Sequence, residues 1–158
     1  MIIKQLLDED FVNYKKPSMF VGFPTCTWKC EKECGKKMCQ NSDLANAPDI
    51  NISYEEIVKR YLNNGITKAI VFGGLEPMDS IDYLFGLIEE FRKYTDDDIV
   101  VYTGYNLDEI ATKTYYLGNL YKNIYFKVGR YIPGKNNKYD DVLGVTLASP
   151  NQMGVQIS

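Results

Sequence analysis

Ser18-Met-Phe-Val-Gly-Phe23-Pro24-Thr-Cys26-Thr-Trp-Lys-Cys30-Glu-Lys-Glu-Cys34-Gly-Lys-Lys-Met-Cys39 runs from an apolar strand directly into a loop that holds every cysteine of the chain. Ser18 to Phe23 reads as a buried strand, and Pro24, with no N–H for a ladder, ends it. Disulfide frameworks spread their cysteines, because closing long loops stabilises most. Four cysteines crowded into one loop suit a metal or a cluster, which needs several thiolates around one point. The bland alternative is structural zinc, but such sites use two close pairs separated by a longer stretch. Here the gaps are three, three and four residues.

Outward from that stretch the pattern alternates. Residues 25–50 read as the cysteine loop followed by a polar segment, Asn46-Ala47-Pro48-Asp49. Ser53-Tyr54-Glu55-Glu56 has the form of a capping box, opening a helix to about Asn63 that Asn64-Gly65 ends. Thr67 to Phe72 is a short apolar strand running into Gly73-Gly74. Ile81, Leu84, Phe85, Ile88 and Phe91 recur at helical spacing within Ser80 to Tyr94. Asp98 to Tyr102 is a buried-type strand, Leu107 to Leu117 a helix, Asn123 to Val128 a strand, and Val142 to Leu147 one more.

This β-loop-α-β-α-β-α-β order builds a parallel sheet in an α/β fold. The cysteine loop, Gly73-Gly74 and Thr103-Gly104-Tyr105 each follow a strand, so all three lie at the carboxyl edge where such folds build sites. Motifs far apart in sequence are thereby expected to meet in space.

At 158 residues the chain makes one domain, 1–158, with a core of its own. Its net charge of −3 gives no basic surface for nucleic acid or anionic membrane. No apolar run approaches the roughly 18 residues of a membrane span. The first ten residues turn acidic too early for a secretory signal. A cytoplasmic protein with reduced thiols is the expectation. There is no histidine, which excludes Ser-His-Asp and Cys-His pairs and any His-ligated metal. Thirteen tyrosines are many for this length; those of the last third, Tyr115, Tyr116, Tyr121, Tyr125, Tyr131 and Tyr139, read mostly as packing residues.

A strand, a Cys26-x3-Cys30 opening, a later cysteine and a Gly73-Gly74-Leu75-Glu76-Pro77 turn after the next strand resemble the radical S-adenosylmethionine superfamily. Val101-Tyr102-Thr103-Gly104-Tyr105, Val128-Gly129-Arg130-Tyr131-Ile132 and Ala148-Ser149-Pro150-Asn151-Gln152 stand, in order, where the activating protein of anaerobic (class III) ribonucleotide reductase has related motifs. The resemblance covers about residues 18–158. The chain departs from it at three places: Leu75 is an extra residue in the Gly-Gly turn, the spacing to the third cysteine differs, and Tyr14-Lys-Lys-Pro17 replaces the usual opening segment. It therefore resembles a divergent branch.

The resemblance implies an incomplete TIM-type β/α barrel with a mostly parallel sheet. It implies a [4Fe–4S] cluster on three cysteines in the loop at about 24–42: Cys26, Cys30 and, because Gln40-Asn41 follows it, Cys39, with Cys34 as the alternative third ligand. S-adenosylmethionine would bind the open iron. Gly73, Gly74, Glu76 and Pro77 would receive its methionyl ammonium, Met38 would lie near its adenine, and Thr103, Gly104 and Tyr105 would complete the site. No residue beyond cluster and cofactor is required for catalysis. The implied activity is reductive cleavage of S-adenosylmethionine and formation of a glycyl radical on a partner, with anaerobic ribonucleotide reductase expected as the partner and flavodoxin or ferredoxin as electron donor. Two alternatives stay open: the same chemistry on another protein, peptide or small molecule, and a non-catalytic zinc or iron–sulfur adaptor.

Overall fold

A computed structural model describes all 158 residues. The elements expected between residues 18 and 128 are present. Strand β1 is Ile2–Ile3, β2 Gln5–Asp10, β3 Ser18–Phe23 and β4 Ile50–Asn51; helix α1 is Lys29–Cys34 and α2 Ser42–Ala45. Then follow α3 Tyr54–Asn63, β5 Ala69–Gly74, α4 Ile81–Arg92, β6 Asp98–Tyr102, α5 Ala111–Leu120 and β7 Ile124–Val128. Strands β8 Lys138–Asp140, β9 Val145–Leu147 and β10 Met153–Gln156 close the chain.

Six strands form one open sheet in the order β10-β7-β6-β5-β3-β2. The four inner strands are parallel: β3 pairs β5, β5 pairs β6, and β6 pairs β7. Their order advances one neighbour at a time without reversal, so the right-handed crossovers through α3, α4 and α5 all lie on one side. Both edges are antiparallel, β2 on β3 and β10 on β7. Neither edge strand was expected. β2 hides in Gln5-Leu-Leu-Asp-Glu-Asp10, where three acids interrupt any apolar pattern, and its ladder shifts register between Leu7 and Asp10. An acidic, bulged edge is a means of discouraging further strand pairing.

Strand residues alternate between two apolar layers. Met19, Val21, Ile70, Phe72, Ile99, Val101, Ile124 and Phe126 face the helices and pack with Ile57, Leu84, Ile88 and Phe91. Phe91 sits edge-on to Tyr61 with centroids 5.3 Å apart and lies 6.2 Å from Phe72. Phe20, Val71, Val100 and Tyr125 form the opposite layer. That face is not bare. Tyr14, Leu143 and Leu147 cover it, Tyr14 donates to Asp98 at 2.8 Å, and Leu147 comes from the β8–β9 hairpin. Burial on both faces explains the near-continuous apolar runs of the inner strands.

Local chemistry sets the boundaries. Ser53 caps α3 by accepting from the Glu56 amide at 3.1 Å, which is one half of the expected capping box; the return bond from the Ser53 amide to the Glu56 side chain does not form. The end of α3 differs in detail: Asn64 Oδ1 accepts from the Ile66 and Thr67 amides, while Gly65 plays no left-handed role. The helix expected over 107–117 is a 3-10 turn at Leu107–Ile110 continuing into α5. Of the late tyrosines, Tyr125 is buried, and Tyr115, Tyr116 and Tyr139 are exposed. The packing reading therefore holds for only some of them.

Candidate metal centre

The loop after β3 is less irregular than its sequence implies. Trp28 takes a left-handed conformation (φ 57°), and its carbonyl accepts the Lys32 amide to open α1; Gly35 (φ 72°) ends it. Cys30 lies in the first turn and Cys34 at its last residue, where it is exposed. Cys26 and Cys39 flank the helix and are partly buried, as is Cys30. All four are free thiols.

Hydrogen bonds pin this loop to the strand ends. Glu76 donates its amide to Thr25 O at 2.8 Å, and the Thr27 amide donates to Asp79 at 2.6 Å. Beyond α1, the Met38 and Cys39 amides both donate to Glu31 Oε1 at 2.9 Å. Asn41 Nδ2 then reaches Gly74 O at 2.7 Å. Two sulfurs accept backbone amides: Trp28 N to Cys26 Sγ at 3.2 Å, and Asn41 N to Cys39 Sγ at 3.4 Å. Hydrogen bonds of this kind tune cluster potentials.

Gly74 requires its glycine: its φ is +82°, and a Cβ there would lie 2.7 Å from Gly22 Cα. Glu76 is buried and caps the 3-10 turn Pro77–Asp79 by accepting from the Met78 amide at 3.1 Å. Its other oxygen accepts from the Gly104 amide at 2.8 Å. Glu76 thus ties the β5 turn to the β6 turn, a structural role the sequence did not show. Burial pushes its carboxyl up to about 7, against hydrogen bonds from Thr103, Gly104 and Met78 that favour the ionised form.

Cys30 Sγ lies against Gly104, where an added Cβ would come within 2.9 Å of the sulfur and 3.5 Å of Glu76 Oε2. Thr103 is buried, and its hydroxyl accepts from the Tyr105 amide; Tyr105 donates its phenol to Asp79 at 2.6 Å. Lys127, on β7 beside Tyr102, carries its ammonium 5.9 Å from the Tyr102 ring. Burial pushes its ammonium down to about 8, partly offset by the negative charge of Glu76.

Of the residues expected in the site, Cys30, Glu76, Thr103 and Gly104 come together at the carboxyl edge. Gly73 and Gly74 are the last residues of β5, paired with Gly22 and Phe23 of β3, rather than a turn after it; Pro77 opens the 3-10 turn that follows, and Tyr105 follows β6. Met38 is half-buried and held through its backbone to Glu31, while Cys34 points to solvent. Lys127 was missed, although a lysine within Ile124-Tyr-Phe-Lys-Val128 is the signal, since a charge in a buried strand is rarely idle. Asp79 lies in no quoted motif, and Arg130 lies in one, Val128-Gly129-Arg130-Tyr131-Ile132, that gives it no role; its partners Glu33 and Glu109 are far away in sequence.

The donor set fits an iron–sulfur cluster. Burial raises the Cys26 thiol to about 11, with the charges of Glu76, Asp79 and Cys39 adding to the rise. Burial likewise raises Cys39, and Cys30 adds to it. Such thiols become thiolates only when a cationic centre compensates them. No three Cys, Asp or Glu side chains close on one point as the ligands of a single ion would; a cluster holds its cysteines farther apart than one ion does.

No helix is long and apolar enough to cross a membrane. No curated protein and no solved structure matches the chain significantly. The family model of the 4Fe-4S single cluster domain matches residues 17–149, from the start of the central sheet to the turn before β10. With a thiol-rich loop seated over a parallel sheet edge and most of its length matched, this chain belongs to the 4Fe-4S single cluster domain family.

Proposed function

We propose that this chain is a radical S-adenosylmethionine activating enzyme on an incomplete β/α barrel. Its product is a glycyl radical on a partner enzyme, with anaerobic ribonucleotide reductase the favoured partner and flavodoxin or ferredoxin the electron donor. The observation that carries the reading is the meeting of Cys30, Glu76 and Gly104 at one point of the carboxyl edge. A cysteine to hold iron and a buried carboxylate beside it suit an amino-bearing ligand held next to a cluster.

Cys26, Cys30 and Cys39 are the assigned ligands, leaving a fourth iron free; Cys34, exposed on the far end of α1, stays outside the set. A reduced cluster, when bound, supplies one electron that splits S-adenosylmethionine into methionine and a 5′-deoxyadenosyl radical, which takes a hydrogen atom from the partner's glycine. Glu76, oriented by three donors, faces the methionyl ammonium, and the ammonium restores its ionised form. Lys127 faces the carboxylate. Gly73 and Gly74 let the backbone approach, Met38 lies toward the adenine, and the Thr103-Gly104-Tyr105 turn closes the side nearest Cys30.

Anaerobic incubation of iron-loaded protein with S-adenosylmethionine and dithionite tests this. 5′-Deoxyadenosine should form with wild type and with Cys34→Ala, and should be lost with Cys26→Ala, Cys30→Ala and Cys39→Ala. No product from fully loaded wild type would refute the reading.

A further inference from the structure

Helix α1 carries Cys30, yet none of its residues is buried. It therefore gains almost nothing from apolar contact, and six residues are too few to be helical alone. What holds it down is ionic. Arg130 grips Glu33 of α1 in a two-pronged contact, Nε to Oε2 at 3.0 Å and Nη2 to Oε1 at 2.9 Å. The same guanidinium donates to the Glu109 carboxylate at 2.8 Å and to Gly104 O. Lys29, one turn before Glu33 on the same helix face, also pairs with Glu109.

Each fixed partner is itself anchored. Arg130 is buried, its guanidinium lies 5.3 Å from the Tyr105 ring, and its carbonyl accepts from Asn151 Nδ2 at 2.7 Å. Glu109 also accepts the Asn106 amide at 2.8 Å in a capping box. Lys29 and Arg130 hold its carboxyl down to about 2, so it stays ionised. One guanidinium thus binds both the helix that carries Cys30 and the Gly104 turn against which the Cys30 sulfur rests.

We infer that Arg130 is a positioning residue for the metal centre: it locks α1 onto the sheet edge through Glu33 and Glu109, and so fixes where Cys30 delivers its sulfur. This rests on Cys30 being a ligand, but not on any reaction of S-adenosylmethionine. A fork of two parallel bonds suits arginine and not lysine. Because Glu33 is half-exposed, the lock is open to salt, which screens over about 3 Å at 1 M.

Trp28, the only tryptophan, reports on the lock, since its carbonyl starts α1. The test follows Trp28 fluorescence anisotropy in the metal-free full chain, and the rate of cluster loss to a chelator, from about 0.1 to 1 M salt. In wild type, salt should lower the anisotropy and speed cluster loss. Glu33→Gln changes an exposed residue and cannot unfold the core. It should start near the high-salt anisotropy, lose its cluster roughly fivefold faster at low salt, and respond little to further salt. Arg130→Lys should fall between, keeping charge without the fork. Identical anisotropy and cluster loss in wild type and both variants would overturn the inference. So would faster cluster loss with Trp28 unchanged, because the defect would then lie outside α1. Failure of S-adenosylmethionine cleavage leaves both readouts untouched.

Discussion

Glu76 is the residue on which the site turns. Its folded-state value, about 7, lies above the ordinary 4.5, so the folded chain holds the proton more tightly than the unfolded one. That contribution to stability is complete below about 4.5 and is lost as pH rises through about 7. The melting temperature of metal-free protein should fall across that window, and Glu76→Gln should flatten the fall; an unchanged slope in the variant would contradict the burial argument. Gly104 makes a second residue-scale prediction. A methyl group there meets Cys30 Sγ at 2.9 Å, so Gly104→Ala should fold but take up less iron than wild type, by iron analysis. Full iron loading would show that the sulfur does not need that seat. Glu76 was legible because a carboxylate after a double glycine has a recognisable form. Its capping of the Pro77 turn was not, since that depends on where β6 brings Gly104. Arg130's role was illegible for the same reason, since its partners lie on other elements, whereas Lys127 stood out only as a charge within an apolar strand.

Among elements, the inner strands and the helices behind them were read closely, because burial on one or both faces imposes a period that sequence carries. The elements missed are those whose stability is not apolar. α1 is Lys, Glu and Cys, ended by backbone conformation at Trp28 and Gly35 and held by Arg130. β2 and β10 are edge strands, short or acidic, whose pairing is decided by neighbours. The helix layer and the metal loop should therefore respond independently. Phe91 is fully buried between Tyr61 and Phe72, so Phe91→Ala should cost about 3–5 kcal/mol in urea unfolding. Its iron content per folded molecule should stay unchanged. Iron loss at full stability would mean that helix packing reaches the loop.

For the molecule as a whole, the uninterrupted advance of β3, β5, β6 and β7 sends every crossover helix to one side and every site-bearing turn to one edge. The opposite face is covered by Tyr14, Leu143 and Leu147; under the proposed function, a partner's glycine would reach the site from the carboxyl edge, beside Cys30. The proposed chemistry requires a four-iron cluster with one open iron at that edge. Its most direct test is electron paramagnetic resonance of the anaerobically reconstituted, reduced protein with and without S-adenosylmethionine. The account predicts a reduced [4Fe–4S] signal whose shape changes when S-adenosylmethionine is added. A cluster signal indifferent to the addition, or a zinc-loaded protein with no signal, would contradict it.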